Sequence, residues 1–232
     1  MTRVSRPHAG LRAAALAAAL AALTALAAPA VHAEGAFAQL YAARPPAGSS
    51  FVRLVNPGTD PIKVKLANGP EQEIGPKQRA SSYAIVKGGQ TFDVTINGKP
   101  AGAFEVGPDT FNTLLPTPGA ARPFQVLDDT NGNQDALKAE IRFYNLAKDC
   151  PAGSLTVVSG PTLFADVVTA TSKARAINPV TASLTATCGQ AVSQTWALPA
   201  LQPGDHYSLF LTGSATAPQL SGQTGRTDAY TR

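Results

Sequence analysis

Phe51-Val52-Arg53-Leu54-Val55-Asn56 and, 89 positions later, Glu140-Ile141-Arg142-Phe143-Tyr144-Asn145 are two versions of one strand. Each carries Arg at its third place and closes on Asn. Successive side chains of a strand point to opposite faces, so Val52 and Leu54, like Ile141 and Phe143, form a core-facing set. Arg53 and Arg142 then point away from that core. The pair marks the chain as two copies of one β-module. Fainter echoes extend the repeat: Val94-Thr95-Ile96 against Leu184-Thr185-Ala186, and Pro108-Asp109-Thr110-Phe111 against Pro203-Gly204-Asp205-His206-Tyr207 with one residue inserted.

Outward from these strands the same texture continues. Short runs of strand-forming residues recur at Ile62 to Leu66, Arg79 to Val86, Thr91 to Ile96, Ala103 to Val106, Thr110 to Leu115 and Pro123 to Leu127. The second copy has them at Lys138 to Asn145, Ser154 to Val158, Leu163 to Thr169, Val180 to Cys188, Ser193 to Leu198 and His206 to Leu211. Asn56-Pro57-Gly58, Asn68-Gly69-Pro70, Gly88-Gly89 and Gly107-Pro108-Asp109 punctuate them with residues that turn a chain, and Asn97-Gly98 is a strong hairpin signal. No helical periodicity interrupts. The expected fold is all-β, two tandem immunoglobulin-like or jelly-roll-like β-sandwich domains.

Arg3, Arg6 and Arg12 precede an apolar run from Ala13 to Ala28 that closes on Val31-His32-Ala33, the pattern of a cleaved secretory signal peptide over residues 1–33. A cut after Ala30 is the neighbouring alternative, and an uncleaved anchor helix the other reading. The first sandwich is expected over 34–127 and the second over 138–213. Asp128 to Asp135 is free of apolar residues, so 128–137 reads as a solvated linker, with only a faint likeness to a calcium loop. Residues 214–232, rich in Ser, Thr, Gly and Gln, read as a disordered polar tail.

Of the 19 Lys and Arg, three lie in the signal segment, and all 15 Asp and Glu follow it, so the remainder carries 16 basic against 15 acidic residues, a charge of +1. The high isoelectric point of the whole chain is therefore no sign of a nucleic-acid partner. Cys150 and Cys188 are the only cysteines, and in an exported chain an intradomain disulfide is the favoured reading, worth about 3 to 4 kcal/mol by loop-closure entropy. Free thiols or a redox pair remain the alternative.

Catalytic chemistry finds few candidates. His206 is the one histidine outside the signal segment, and Asp205 beside it on a strand faces the other way. No Gly-x-Ser-x-Gly elbow surrounds any serine. No glutamate pair is cued to converge for glycosidic chemistry, and no cofactor or metal site is indicated. The arrangement that remains is one for binding. Arg53 and Arg142, with Tyr144 beside the latter and Arg79 and Arg175 as weaker members, suit a carboxylated sugar, since guanidinium forks onto carboxylate and a ring covers a pyranose face. Ordinary solvent-facing strand residues are the plain alternative.

Leu40-Tyr41, Pro45-Pro46-Ala47-Gly48-Ser49, the strand from Phe51 to Asn56, and Arg175-Ala176-Ile177-Asn178-Pro179-Val180 resemble the AlgF family of alginate biosynthesis proteins, in order from Leu40 to about Gly213. The resemblance implies a periplasmic accessory protein of alginate O-acetylation, acting on mannuronate residues beside periplasmic O-acetyltransferase proteins and a membrane-bound acyltransferase. It supplies no catalytic residues to transfer. The two cysteines, the polar linker and the tail depart from the family pattern. The expected function is a non-catalytic adaptor that bridges acetyltransferase components. A carbohydrate-binding module for an acidic polysaccharide, a cryptic acyltransferase built on His206 and a subunit of a surface fibre are the alternatives.

Overall fold

The computed structural model describes residues 44–130, 135 and 137–230; the expected signal peptide, the Leu40-Tyr41 pair and half of the polar stretch between the copies lie outside the described residues. The described chain is built of strands and turns, with no helix among the described residues. The first copy runs β1 (Ser49–Leu54), β2 (Ile62–Leu66), β3 (Gln72–Ile74), β4 (Ala84–Lys87), β5 (Phe92–Ile96), β6 (Lys99–Phe104), β7 (Phe111–Pro116) and β8 (Phe124–Asp128). The second runs β9 (Ala139–Asn145), β10 (Ala152–Val157), β11 (Thr162–Val168), β12 (Thr171–Ile177), β13 (Ala182–Cys188), β14 (Ala191–Val192), β15 (Trp196–Leu198), β16 (His206–Gly213) and β17 (Pro218–Thr224).

Pairing repeats from copy to copy. Sheet order β4-β1-β7-β8 in the first is matched by β12-β9-β16-β17 in the second, and β3-β2-β5-β6 by β11-β10-β13-β14, with β15 also on β13. In both copies the central pair, β1 with β7 and β9 with β16, is the parallel one. Each copy closes a sandwich over its own core. Val52, Leu54 and Leu114 meet Val64, Ile74 and Val94 in the first; Ile141, Phe143 and Leu209 meet Leu155, Leu184 and Val167 in the second. At the β5–β6 hairpin Asn97 and Gly98 take φ of 51° and 72°, the left-handed conformations that a two-residue primed turn requires.

The terminal Asn of each echo strand has one job in both copies. Asn56 accepts from Gly58 N and donates to the carbonyls of Asp60 and Ile74, at 2.9, 2.8 and 3.2 Å. Asn145 accepts from Ala147 N and donates to Cys150 and Val167, at 3.3, 2.9 and 2.9 Å. A buried amide so used satisfies the backbone where the chain leaves one sheet for the other. Beside it Cys150 and Cys188 form a disulfide with Cα atoms 5.7 Å apart, tying the start of β10 to the end of β13.

Three expectations are corrected. Residues 214–232 contain β17, which pairs along its whole length with β16 and buries Leu220 in the second core. The following residues clasp the first copy: Tyr83 N donates to Arg226 O, and Asp228 N to Tyr83 O. Second, the polar stretch is not solvated throughout, because Asp128 ends β8 and Asp129 is buried. Third, register pairs Phe51 with Phe111 and Glu140 with His206, so His206 rather than Tyr207 stands in the place of Phe111 and no insertion is needed.

Candidate functional site

Arg53 and Arg142 do point away from their own cores, as strand parity requires. Solvent does not receive them. The sheet β4-β1-β7-β8 lies back to back with β12-β9-β16-β17, and a third apolar cluster of Val55, Ala80, Leu115, Leu127, Tyr144, Leu146 and Phe210 fills part of the seam. Gln223 brackets Ala80 through both its amide atoms at one edge, and Gln125 Nε2 donates to Ala170 O at the other. Four β-layers therefore stack, with the echo strands inside.

At the middle of the seam a polar cluster gathers on Asp129. Its Oδ2 accepts from Tyr83 Oη at 2.8 Å and from Thr113 Oγ1, and its Oδ1 accepts from Tyr144 Oη at 2.7 Å. Arg53 backs two of these donors: Nε donates to Thr113 Oγ1 at 2.8 Å and Nη2 to Tyr144 Oη at 2.7 Å, while Nη2 also reaches Ser208 Oγ at 2.9 Å. Its Nη2 stands 3.7 Å from the Asp129 carboxylate, and Arg142 Nε approaches from the other side at 3.8 Å. Arg142 Nη2 donates to Asp129 O at 2.7 Å and lies 3.4 Å from Glu140 Oε1.

Strand register explains why these residues meet. Thr113 is the lateral partner of Arg53 in the β1–β7 pair, and Ser208 is the lateral partner of Arg142 in the β9–β16 pair. A small hydroxyl next to each arginine leaves room for the guanidinium to lie flat between the sheets. Arg53, 1% exposed, has its guanidinium carbon 4.6, 5.5 and 5.8 Å from the ring centres of Tyr83, Tyr144 and Phe210. Burial alone would lower its pKa, but Tyr144, Tyr83 and Asp129 together carry it above the usual arginine value. Burial pushes the Tyr83 and Tyr144 hydroxyls up, against the pull of Arg53, and the Asp129 charge adds to the rise.

Of the five expected binding residues, the structure brings Arg53, Arg142 and Tyr144 together but buries all three, which corrects their expected exposure. Arg79 is buried too, donating to Gly58 O at 2.5 Å as a staple of the loop after β1, and burial lowers its pKa. Arg175 stands apart on β12, exposed. His206 opens β16 with its ring largely in solvent, its Nδ1 3.8 Å from Glu140 Oε1. Asp129, Tyr83, Thr113, Ser208 and Glu140 were not legible as members of the cluster. A buried arginine needs a counter-charge, which was the available signal, but only the fold shows which carboxylate supplies it.

Above this cluster, where β1, β7, β9 and β16 begin, the seam opens into a cavity of about 580 Å³ lined from both copies. Its walls are unlike. In the first copy Phe51 and Phe111 stack with ring centres 4.3 Å apart; in the second, the same paired positions hold Glu140 and His206. Among the described residues no group of three or more His, Cys, Asp or Glu is placed to hold a metal ion.

A model of the family described as alginate O-acetyl transferase AlgF matches residues 20–208. The chain belongs to the AlgF family. An alginate biosynthesis protein AlgF of Pseudomonas putida is 29% identical over 184 residues, covering 79% of this chain and 82% of that protein. Among solved structures, a family CBM26 module of Eubacterium rectale Amy13K in complex with maltoheptaose aligns over 79% of this chain and 100% of its own at 7% identity, with a TM-score of 0.27. The AlgF match ends inside β16, so β17 and the clasp on Tyr83 lie beyond the matched residues.

Proposed function

We propose that this protein is a periplasmic, non-catalytic accessory of alginate O-acetylation that bridges acetyltransferase components, in keeping with the AlgF match over residues 20–208. The family description names an acetyl transferase, and the accessory role assigned here rests on how the polar residues are used. Asp129, Tyr83, Tyr144, Thr113 and Arg53 are occupied by one another in hydrogen bonds that join the two sandwiches. The hydroxyl protons of Tyr83, Tyr144 and Thr113 all go to Asp129 and the five side chains are buried, an arrangement that serves the joint between the sandwiches rather than attack on a substrate. Among the described residues the His206 ring lies by Glu140 and is hydrogen-bonded to no serine or threonine hydroxyl, and both cysteines are in the disulfide. A stack of four β-layers offers two broad outer sheets and their edges to partners, which suits a bridge.

The test is complementation of an alginate-producing strain from which the gene has been deleted. The deletion is expected to abolish acetyl esters on the polymer, and His206→Ala to restore them in full. Affinity capture of the wild-type protein under mild detergent is expected to recover other acetylation proteins. Loss of acetylation in His206→Ala, or acetyl transfer by the purified protein alone, overturns the accessory reading in favour of an enzyme.

A further inference from the structure

The edge of a sheet carries unpaired backbone groups, and this chain blunts nearly all of its own edges. Among the described residues, β4 ends on exposed Lys87 and has Arg226 to Asp228 laid against Tyr83, while β3, β14 and β15 are only two or three residues long. β6 contains Pro100 and a bulge, β11 is broken in register against β10, and β12 exposes Lys173 and Arg175. On β17 the Gln194 side chain takes an edge carbonyl, Nε2 donating to Leu220 O at 2.8 Å. β8 has none of these devices. Its pairing with β7 is in unbroken register, and Phe124, Gln125, Val126 and Leu127 include no charge, proline or glycine.

Ladder parity decides which groups of β8 are open. Thr117 N donates to Pro123 O and Asp129 N to Phe111 O, at 2.9 and 2.8 Å, so the odd-numbered residues turn their backbone groups to β7. In an antiparallel pair such residues alternate with others whose N–H and C=O point outward. Phe124, Val126 and Asp128 are the outward ones, and among the described residues β8 has no strand on that side. Arg142 Nη1 reaches Asp128 O at 3.4 Å, which leaves that carbonyl a second lone pair. The Val126 side chain is 45% exposed, beside an open groove of about 430 Å³ lined by Thr117, Ala120, Arg122, Phe124 and Gln125.

We propose that β8 pairs antiparallel with β8 of a second molecule of this chain, about a two-fold axis at Val126, so that two four-stranded sheets become one. An axis at this residue sets Val126 against its own equivalent and Phe124 against Asp128. Every outward residue of the strand then meets another, and their N–H and C=O groups find partners. The exposed valines cover each other. Charge favours a second molecule over an unlike strand: Arg122 stands just before β8, Asp128 ends it and nothing between them is charged. A strand with its cation at one end and its anion at the other is complementary to its own antiparallel copy, and Arg122 comes to Asp128 across the diagonal of the pair. The proposal does not depend on the accessory reading.

Sedimentation equilibrium of the purified protein is expected to show monomer and dimer in exchange, with Kd in the micromolar range that a short edge with few side-chain anchors gives. Val126→Pro deletes the outward N–H in each molecule but leaves the β7 pairing, which does not use it. It is expected to weaken association about tenfold or more with Tm kept. Val126→Lys sets like charges directly opposite each other and is expected to do the same; it keeps the test decisive should the proline disturb β8. Under mild oxidation Val126→Cys is expected to cross-link the dimer, because the Cα atoms of a hydrogen-bonded pair lie about 5.5 Å apart, within disulfide reach. Gln125→Cys, which this register sets against Leu127 of the other molecule, is expected not to. Wild-type protein that is still monomeric at about 100 μM overturns the proposal, and so does association undiminished in both Val126→Pro and Val126→Lys. Cross-linking through Gln125→Cys in place of Val126→Cys overturns the register. A monomer whose capture of other acetylation proteins is lost in Val126→Lys overturns the second molecule as occupant and gives the edge to an unlike strand.

Discussion

Replacing Asp129 with alanine tests whether the seam is the structural keystone. Three hydroxyl hydrogen bonds end on this carboxylate, from Tyr83 at 2.8 Å, Tyr144 at 2.7 Å and Thr113, and two guanidiniums lie 3.7 and 3.8 Å away. Removing one partner of a buried ion pair costs about 3 to 5 kcal/mol, because the remaining charge stays in a medium that cannot solvate it. Here Arg53 is the stranded charge, at 1% exposure. The freed hydroxyls add less than their separate worth, since water from the adjacent cavity can reach some of them, so the expected total is about 4 to 6 kcal/mol. For a protein of this size that lowers Tm by about 10 to 20 °C. Asp129→Asn keeps the shape and one acceptor and should lose about half as much. Urea unfolding followed by tyrosine near-UV dichroism measures both, and a cycle with Arg53→Met isolates the pair, with an expected coupling of about 2 kcal/mol. A cost below about 1 kcal/mol for Asp129→Ala, the range of an exposed ion pair, would refute the account of the seam.

Further outcomes follow from the same geometry. Burial holds the Tyr83 and Tyr144 hydroxyls above the ordinary tyrosine value, so their contribution is intact below about pH 10 and is lost as pH rises beyond it, at about 1.4 kcal/mol per pH unit for each tyrosine. Urea midpoints at pH 9 and pH 11 should fall less steeply in Tyr144→Phe, and an unchanged slope counts against the burial argument. Asn145→Ala should cost about 2 to 3 kcal/mol, because it strands two buried carbonyls and one buried N–H, and Asn56→Ala about 1 to 2 kcal/mol, because its partners Asp60 O and Gly58 N are only part-buried; thermal unfolding that finds Asn56→Ala the costlier would refute the argument. Truncation after Gly213 removes β17 and should yield insoluble protein, whereas truncation after Thr224 loses the clasp on Tyr83 together with the Gly225–His206 and Ser82–Asp228 bonds, about 2 to 3 kcal/mol, which soluble yield and Tm distinguish.

Period-two alternation made the echo strands legible, and it correctly directed Arg53 and Arg142 away from the side of Val52 and Ile141. It said nothing of what lies beyond the outer face. A strand face opposite a core is read as solvent by default, but duplication places a second such face in the same chain, and two like faces can cover each other. The tail was missed for a related reason. Pro218 to Thr224 is polar by composition, and only Pro218 and Leu220 are buried within it. Yet the first copy ends on β8, and following the repeat to its end demands a counterpart of β8 after Gly213. β3, β12 and β14 were missed as short or polar strands whose stability comes from their neighbours rather than from their own residues.

Asp129 shows why the two copies had to diverge. A seam between identical sheets brings equivalent side chains together, so one arginine in each copy brings two guanidiniums into a dry interface. One carboxylate between them neutralises one charge and hydrogen-bonds the hydroxyls that both copies supply. The equivalent place in the second copy is Gly225: Asp129 N donates to Phe111 O as Gly225 N donates to His206 O, at 2.8 and 2.7 Å. The second balancing charge is Glu140, also buried, on β9 where Phe51 stands in the first copy. The seam is thereby neutral while its mouth is asymmetric, aromatic on one side and acidic on the other. Duplication built the interface, and Phe111 of the first copy and Glu140 and His206 of the second, at positions where the copies differ, line its cavity beside the shared Arg53 and Arg142.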